Sequence, residues 1–179
     1  GQMQKKNYKE AIQVLEQSKK ISTTNKNLQS EIYGMLGDAY NAIHDNEKSD
    51  QAYEEALTIN PNNDYVLNNY SYFLSLRKIH LEKAEKMSAQ SLKIQPENTS
   101  FIDTYAWILY QLGRYKEAKK TMEKIFSLGQ GSAVNYEHYG DVLYQLGNVD
   151  EAVTQWQKAK SLNGSSEVLN KKITNRKIY

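Results

Sequence analysis

Apolar and small residues return at every third or fourth position along most of this chain, the spacing of helices that each bury one face. Residues 103–118 show it most plainly. Tyr105, Ala106, Leu109 and Leu112 share a face, Gly113 ends that helix by accepting a left-handed conformation, and Ala118 and Met122 open a second helix. Residues 139–152 repeat the arrangement column by column: Gly147 follows Gly113 by 34 residues, and Ala152 follows Ala118 by 34.

Read with that period, the chain predicts helix hairpins over 25–43 and 47–60, 64–77 and 81–95, 99–112 and 115–128, and 133–146 and 150–162. They are preceded by a lone second helix over 7–20, with only a trace of a first helix at 1–5. A short polar helix over 167–177 follows. Pro61-Asn62-Asn63-Asp64 and Pro96-Glu97-Asn98 each stop one helix and cap the next. One small-residue column runs Gly37, Ser71, Ala106, Gly140, and another Ala11, Ser49, Ala84, Ala118, Ala152. Bulky columns flank them: Leu36, Tyr70, Tyr105, Tyr139; Tyr40, Leu74, Leu109, Leu143; and Ile21, Ile59, Ile94, Leu128, Leu162. Such columns arise when every hairpin buries the same faces.

A fixed 34-residue period of helix–turn–helix units resembles the tetratricopeptide repeat (TPR) family. The resemblance covers nearly the whole chain. It implies an all-α fold, a right-handed solenoid of stacked antiparallel helix pairs. The boundaries are a partial repeat at 1–24, unit I at 25–63, unit II at 64–98, unit III at 99–132, unit IV at 133–164 and a capping helix at 165–179. Three departures stand out. The segment Arg77-Lys78-Ile79-His80 holds one extra residue and lacks the turn glycine. Ile125 replaces the small residue found as Ala56 and Ala159, which predicts looser or shifted packing of unit III on unit IV. Gln130 stands where Pro61 and Pro96 stood, inside Gly129-Gln130-Gly131.

Hydrophobic content of 39% suits a thin, elongated core, and the net charge of +2 implies neither nucleic acid nor an acidic membrane surface as partner. No cysteine is present, so disulfides, thiolate metal sites and cysteine nucleophiles are excluded, while the compartment stays open between bacterial cytoplasm and periplasm or cell envelope. No apolar run approaches the ~20 residues that span a bilayer. Position 1 falls mid-pattern, so the chain reads as a fragment or processed product.

Little catalytic chemistry is visible. Gly129-Gln130-Gly131 follows no strand and is read as a turn. Ser75-Leu76-Arg77-Lys78 has Ser-x-x-Lys spacing without the companion motifs of that enzyme class. His44, His80 and His138 lack metal-ligand spacing, and no cofactor is called for. The basic residues Lys171, Lys172, Arg176 and Lys177 are read as a solvated capping helix.

What remains is a surface. In the family that this sequence resembles, first helices of successive units line a concave groove. The side chains facing away from the small-residue column here are Met35, Asp38 and Ala42; Tyr65, Asn68, Asn69 and Tyr72; Asp103, Thr104, Trp107 and Tyr110; Glu137, His138, Asp141 and Tyr144. Asn68 and Asn69 are candidates to bond the main chain of an extended peptide. Tyr72, Trp107, Tyr110 and Tyr144 are candidate anchors, although Trp107 and Tyr110 could equally pack between units. The family's carboxylate clamp does not fit: of Gly34, Asp38, Asn69, Ser100 and Thr104 only Asn69 matches. The expected function is a non-catalytic protein- or peptide-binding scaffold. The alternatives are self-association through the open N-terminal edge, giving a homo-oligomer, or the repeat portion of a larger enzyme such as a glycosyltransferase.

Overall fold

The computed structural model describes residues 2–21 and 24–179. Among them run ten helices and no strand: α1 (Gln2–Ser18), α2 (Lys26–Ala42), α3 (Asn46–Ile59), α4 (Asp64–Arg77), α5 (Leu81–Ile94), α6 (Thr99–Gln111), α7 (Tyr115–Ser127), α8 (Ala133–Gln145), α9 (Val149–Ser161) and α10 (Glu167–Asn175). The hairpins α2/α3, α4/α5, α6/α7 and α8/α9 are the most heavily packed pairs, and each hairpin otherwise touches only its neighbours in the stack. That is a solenoid, in which stability is a sum of units and nearest-neighbour interfaces. Its first helices α2, α4, α6 and α8 contact one another in sequence and form one wall.

Local chemistry sets the boundaries. Every first helix, and α10, opens on a side-chain cap: Asn25, Asn63, Asn98, Ser132 and Ser166 each accept a backbone N–H three residues on. A cap of this kind is worth about 1 kcal/mol. Among the second helices only α3 has one, from Asp45; α5, α7 and α9 begin without, held instead by the tight turn behind them. Those turns need a left-handed residue. Gly113 (φ +75°) and Gly147 (φ +85°) supply it without strain, whereas the one-residue-longer turn of unit II uses two non-glycines, Lys78 (φ 54°) and His80 (φ 48°).

The small-residue columns do what their spacing predicts. Ser71 and Ala106 are fully buried, as are Ala84, Ala118 and Ala152. The close approach is tightest at the two glycines. A Cβ on Gly37 would stand 2.4 Å from the Tyr53 ring, and one on Gly140 2.5 Å from the Trp156 ring. Both rings are fully buried and fill the space that the glycines leave.

Three expectations are corrected, at residues 2–5, at the column from Ile21 to Leu162 and at Ile125, while the face of α1 is open as the missing first helix implies. Residues 2–5 continue α1 rather than tracing a separate helix; Gly1 lies outside the described residues. Ala11 is exposed, with no first helix among the described residues standing opposite it, and Tyr8 (42% exposed) and Val14 (62%) lie open on the same helix. The column Ile21, Ile59, Ile94, Leu128, Leu162 is not core: Ile21, Ile94 and Leu162 are exposed at helix ends. Ile125 does not loosen the III–IV junction. It is fully buried, and Gly131 lets Tyr136 close in and stack on Phe126 at 4.7 Å.

Gly140→Ala is therefore expected to cost about 1–3 kcal/mol, since its methyl must displace a packed indole and also meets the Ala152 carbonyl oxygen at 3.0 Å. Lys78→Gly should act oppositely, by up to about 1 kcal/mol, by relieving a left-handed residue. Urea unfolding of both variants checks this pair of signs; a Gly140→Ala midpoint equal to wild type would show that the wall can move to admit the methyl.

Candidate functional site

The inner wall is built from residues that step along α2, α4, α6 and α8 at the repeat spacing. At the I–II junction Asp38 accepts from the Tyr53 hydroxyl (2.5 Å) and from the Asn69 amide (3.0 Å). Asn68, itself buried, donates to Asn69 Oδ1 at 3.2 Å. The two amides that were expected to reach a peptide main chain are thus turned into the wall. Burial, with the charge and hydrogen bond of Asp38 added, holds the Tyr53 hydroxyl above its ordinary pKa.

At the III–IV junction Asp103 is buried and accepts from Asn135 Nδ2 (2.9 Å) and from His138 Nδ1 (2.9 Å). His138 stacks on Trp107 at 4.2 Å, and Trp107 stacks on Tyr110 at 4.6 Å, so three rings lie in one pile across two units. The Tyr110 hydroxyl accepts from Gln145. Trp107 thus packs across the junction on His138 and carries Tyr110 on its other face. Thr104 is buried, and Tyr72 is half-buried. Two polar atoms of this wall, Asn68 Oδ1 and Trp107 Nε1, are buried without a partner.

At the C-terminal end α10 contributes a residue that the sequence pattern places in solvent. Lys172 is only 6% exposed, and its ammonium donates to Glu137 and Asp141, both at 2.8 Å. Burial alone would lower its pKa, but the two carboxylates outweigh it and the lysine stays charged. Asp141 also accepts from the Trp156 indole at 2.9 Å. Asp38 with Tyr53 and Asp141 with Trp156 are the same device in units I and IV. A Gly-Asp pair on the first helix faces an aromatic donor on the second, 15 residues after the aspartate. Tyr144 packs tilted near that indole, 6.0 Å away.

Deep positions of the wall are therefore occupied by one another. The open positions form a different column: Glu31, Tyr65, Ser100 and Val134, one per unit, and Val168 on α10, all exposed, with Met35 beside them. Tyr65 (57%), Val134 (54%), Val168 (46%) and Met35 (54%) are among the most exposed large apolar side chains in the protein. Two clefts lie along this rim. One, of about 430 Å³, sits between α2 and α4 and is lined by Glu31, Met35, Asn62, Asp64 and Tyr65. The other, of about 420 Å³, sits between α6 and α8 and is lined by Ser100, Asp103, Gly131, Val134 and Asn135. Glu31, Asn62 and Tyr65 shifted by 69 residues become Ser100, Gly131 and Val134, so the clefts correspond two units apart, while the equivalents of Met35 and Asp64, Thr104 and Ala133, do not line the second. Sequence reasoning misses Val134 and Val168 because exposure along a helix rim carries no periodic signal distinct from that of a solvated face. A larger depression of about 620 Å³ lies away from the wall, between α1 and α3, where the Tyr40 hydroxyl donates to Glu16. Among the described residues no group of three or more His, Cys, Asp or Glu is arranged to hold a metal ion.

An all-helical stack of hairpins whose small columns recur every 34 or 35 residues is the class that the fold defines. Residues 30–63 match the family model for the tetratricopeptide repeat, and residues 77–159 match that for subunit 3 of the anaphase-promoting complex, or cyclosome. The chain is a tetratricopeptide-repeat protein. Among solved structures it is similar to TTC0263, a thermophilic TPR protein in Thermus thermophilus, at 14% identity over 94% of this chain and 90% of that one, with a TM-score of 0.74. It is also similar to MamA from AMB-1 (19% identity, 89% and 92% covered, TM-score 0.71) and to Pseudomonas aeruginosa pilF (20%, 82% and 68%, TM-score 0.66). These likenesses are of fold. No curated protein matches.

The Asp103–His138 pair has a pH signature. Burial alone would lower the imidazole pKa, but the charge and hydrogen bond of Asp103 outweigh it, helped by Asp141 and Glu137, and the net direction is upward. A folded-state value above the unfolded ~6.5 stabilises the protein fully below that pH, and the contribution fades as pH rises through the folded value. The stability advantage of wild type over His138→Gln should accordingly be larger at about pH 5.5 than at about pH 8.5 in urea titrations. An advantage that is flat in pH, or grows with it, would show that the stacking on Trp107 and not the ion pair is what His138 supplies.

Proposed function

We propose that this chain is a non-catalytic protein-binding scaffold that seats a segment of another polypeptide along the inner rim of its first helices. One observation carries the reading: Tyr65, Val134 and Val168 stand exposed in one repeat column, with Met35 beside it, next to a wall whose deeper carboxylates already have partners. Exposed apolar groups aligned in a row, flanked by clefts, mark a surface that gains by being covered. Asn68, Asn69, Tyr72, Asp103, Trp107, Tyr110, His138, Asp141 and Tyr144 act in this reading as the support behind the rim, holding its curvature. That differs from the direct ligand contact the sequence suggested for them.

A second reading has its own observation. Tyr8, Ala11 and Val14 are exposed on the face of α1 that, in every complete unit, the second helix turns toward its own first helix. Covering that face with another copy would make the protein a self-assembling scaffold. Light scattering over a wide concentration series decides it: a mass rising with concentration, and abolished by Val14→Asp, supports assembly through α1.

For the rim, the test is a random twelve-residue peptide library displayed on phage and selected against the whole chain. Selected peptides should bind Tyr65→Ser and Val134→Asp at least about tenfold more weakly than wild type, as expected for the loss of buried apolar anchors. They should bind Lys120→Glu, on the opposite face, equally well. Affinities indifferent to both rim substitutions would place recognition elsewhere and end this reading.

A further inference from the structure

Charge is divided unevenly between the two layers of the solenoid. The first helices α2, α4, α6 and α8 carry six carboxylates, Glu31, Asp38, Asp64, Asp103, Glu137 and Asp141, against two bases, Lys26 and Arg77. Arg77 is committed to Asp50 on α3. The second helices α3, α5, α7 and α9 hold ten acidic and ten basic residues. The excess of negative charge therefore sits on the inner wall, within a protein whose net charge is +2.

Part of that charge is already matched. Asp103, Asp141 and Glu137 have the basic partners described above, and Asp38 is enclosed by the neutral Tyr53 hydroxyl and Asn69 amide. Glu31 and Asp64, both in the cleft between α2 and α4, have no basic partner among the described residues. Glu31 is exposed and forms no ion pair among the described residues. Asp64 accepts only from neutral donors, the Tyr65 backbone N–H and the Gln95 amide. Between them stand Met35 and Tyr65, each more than half exposed, across a volume of about 430 Å³. The equivalent cleft two units on has Ser100 in place of Glu31 and Ala133 in place of Asp64, so this chemistry belongs to the first cleft alone.

We infer that the α2–α4 cleft takes a lysine or arginine side chain of the polypeptide partner, next to an apolar residue of the same segment. Glu31 and Asp64 meet the cation, the Tyr65 ring offers its face to it, and the Met35 thioether lies against the aliphatic stem. The protein supplies its own precedent on the same wall. Lys172 of α10 enters the corresponding wall of unit IV and is held between two carboxylates, Glu137 and Asp141, while its stem is buried. The precedent is of chemistry and not of position, since the place of Lys172 is taken in unit I by Asn69, which donates to Asp38. This deepens the rim reading and rests on it.

The peptides selected above give the test. Wild type should enrich sequences with Lys or Arg beside an aliphatic or aromatic residue. Replacing that Lys or Arg by Gln in a synthetic peptide should weaken binding about tenfold in fluorescence anisotropy, and Glu31→Lys should do the same to the parent peptide. Affinity for the parent peptide should fall as KCl is raised, while that of the Gln peptide should not. Glu31→Gln, an exposed and isosteric change, serves as the second variant, with the far-ultraviolet circular dichroism of each variant confirming its fold. If selected peptides depend on Tyr65 and Val134 but show no basic enrichment, or bind Glu31→Lys as wild type does, the cation site is overturned while the rim reading stands. If binding ignores Tyr65 and Val134, or no peptide is enriched, the rim reading falls and this inference with it.

Discussion

The close approach of two helices across a residue with little or no side chain is the contact on which everything else here depends. Where Gly37 and Gly140 remove a Cβ, Tyr53 and Trp156 fill the gap with whole rings. Where Ser71 and Ala106 stand instead, the partner helix offers Ser88 and Met122, both buried. With each hairpin clamped at the same point, the next hairpin meets an identically placed face, and the stack propagates.

The clamp has an electrostatic corollary. A buried tyrosine or indole needs an acceptor, and the residue after each of the two glycines is an aspartate turned to provide one. That draws carboxylates into the wall, where burial would be costly unless their remaining lone pairs are used. They are used by the following unit: Asn69 reaches Asp38, and Lys172 reaches Asp141. At the III–IV junction Asn135 and His138 serve Asp103 in the same way. The bonds within hairpins and the bonds between them are thus one network, and the wall is as polar as it is rigid.

Most polar groups at the floor of the wall are bonded to one another, Asn68 Oδ1 and Trp107 Nε1 excepted, while apolar side chains stand clear of the network at the rim. α10 caps the far end in two ways: Leu169 is buried on the core of unit IV, and the Lys172 ammonium donates to both Glu137 and Asp141. The first end has no such cap among the described residues, since α1 keeps Tyr8, Ala11 and Val14 open.

The sequence by itself determined the period, the hairpins, their turns and the buried small-residue columns, because these depend on spacing along one helix and on letters that repeat. Even the irregular turn at Lys78 and His80 was legible as an extra residue without a glycine. The site was legible only as a face. Asn69, His138 and Asp141 lie on first helices as their spacing implies, yet their partners are residues 15 or 31–35 positions away. The tertiary structure alone settled that Tyr53 and Trp156 claim two aspartates, that Trp107 lies between Tyr110 and His138, and that Lys172 turns inward. The reason is physical: periodicity reports which side of a helix is buried, while a hydrogen bond or a ring stack depends on distances of a few ångströms between helices, which no pattern within one helix encodes.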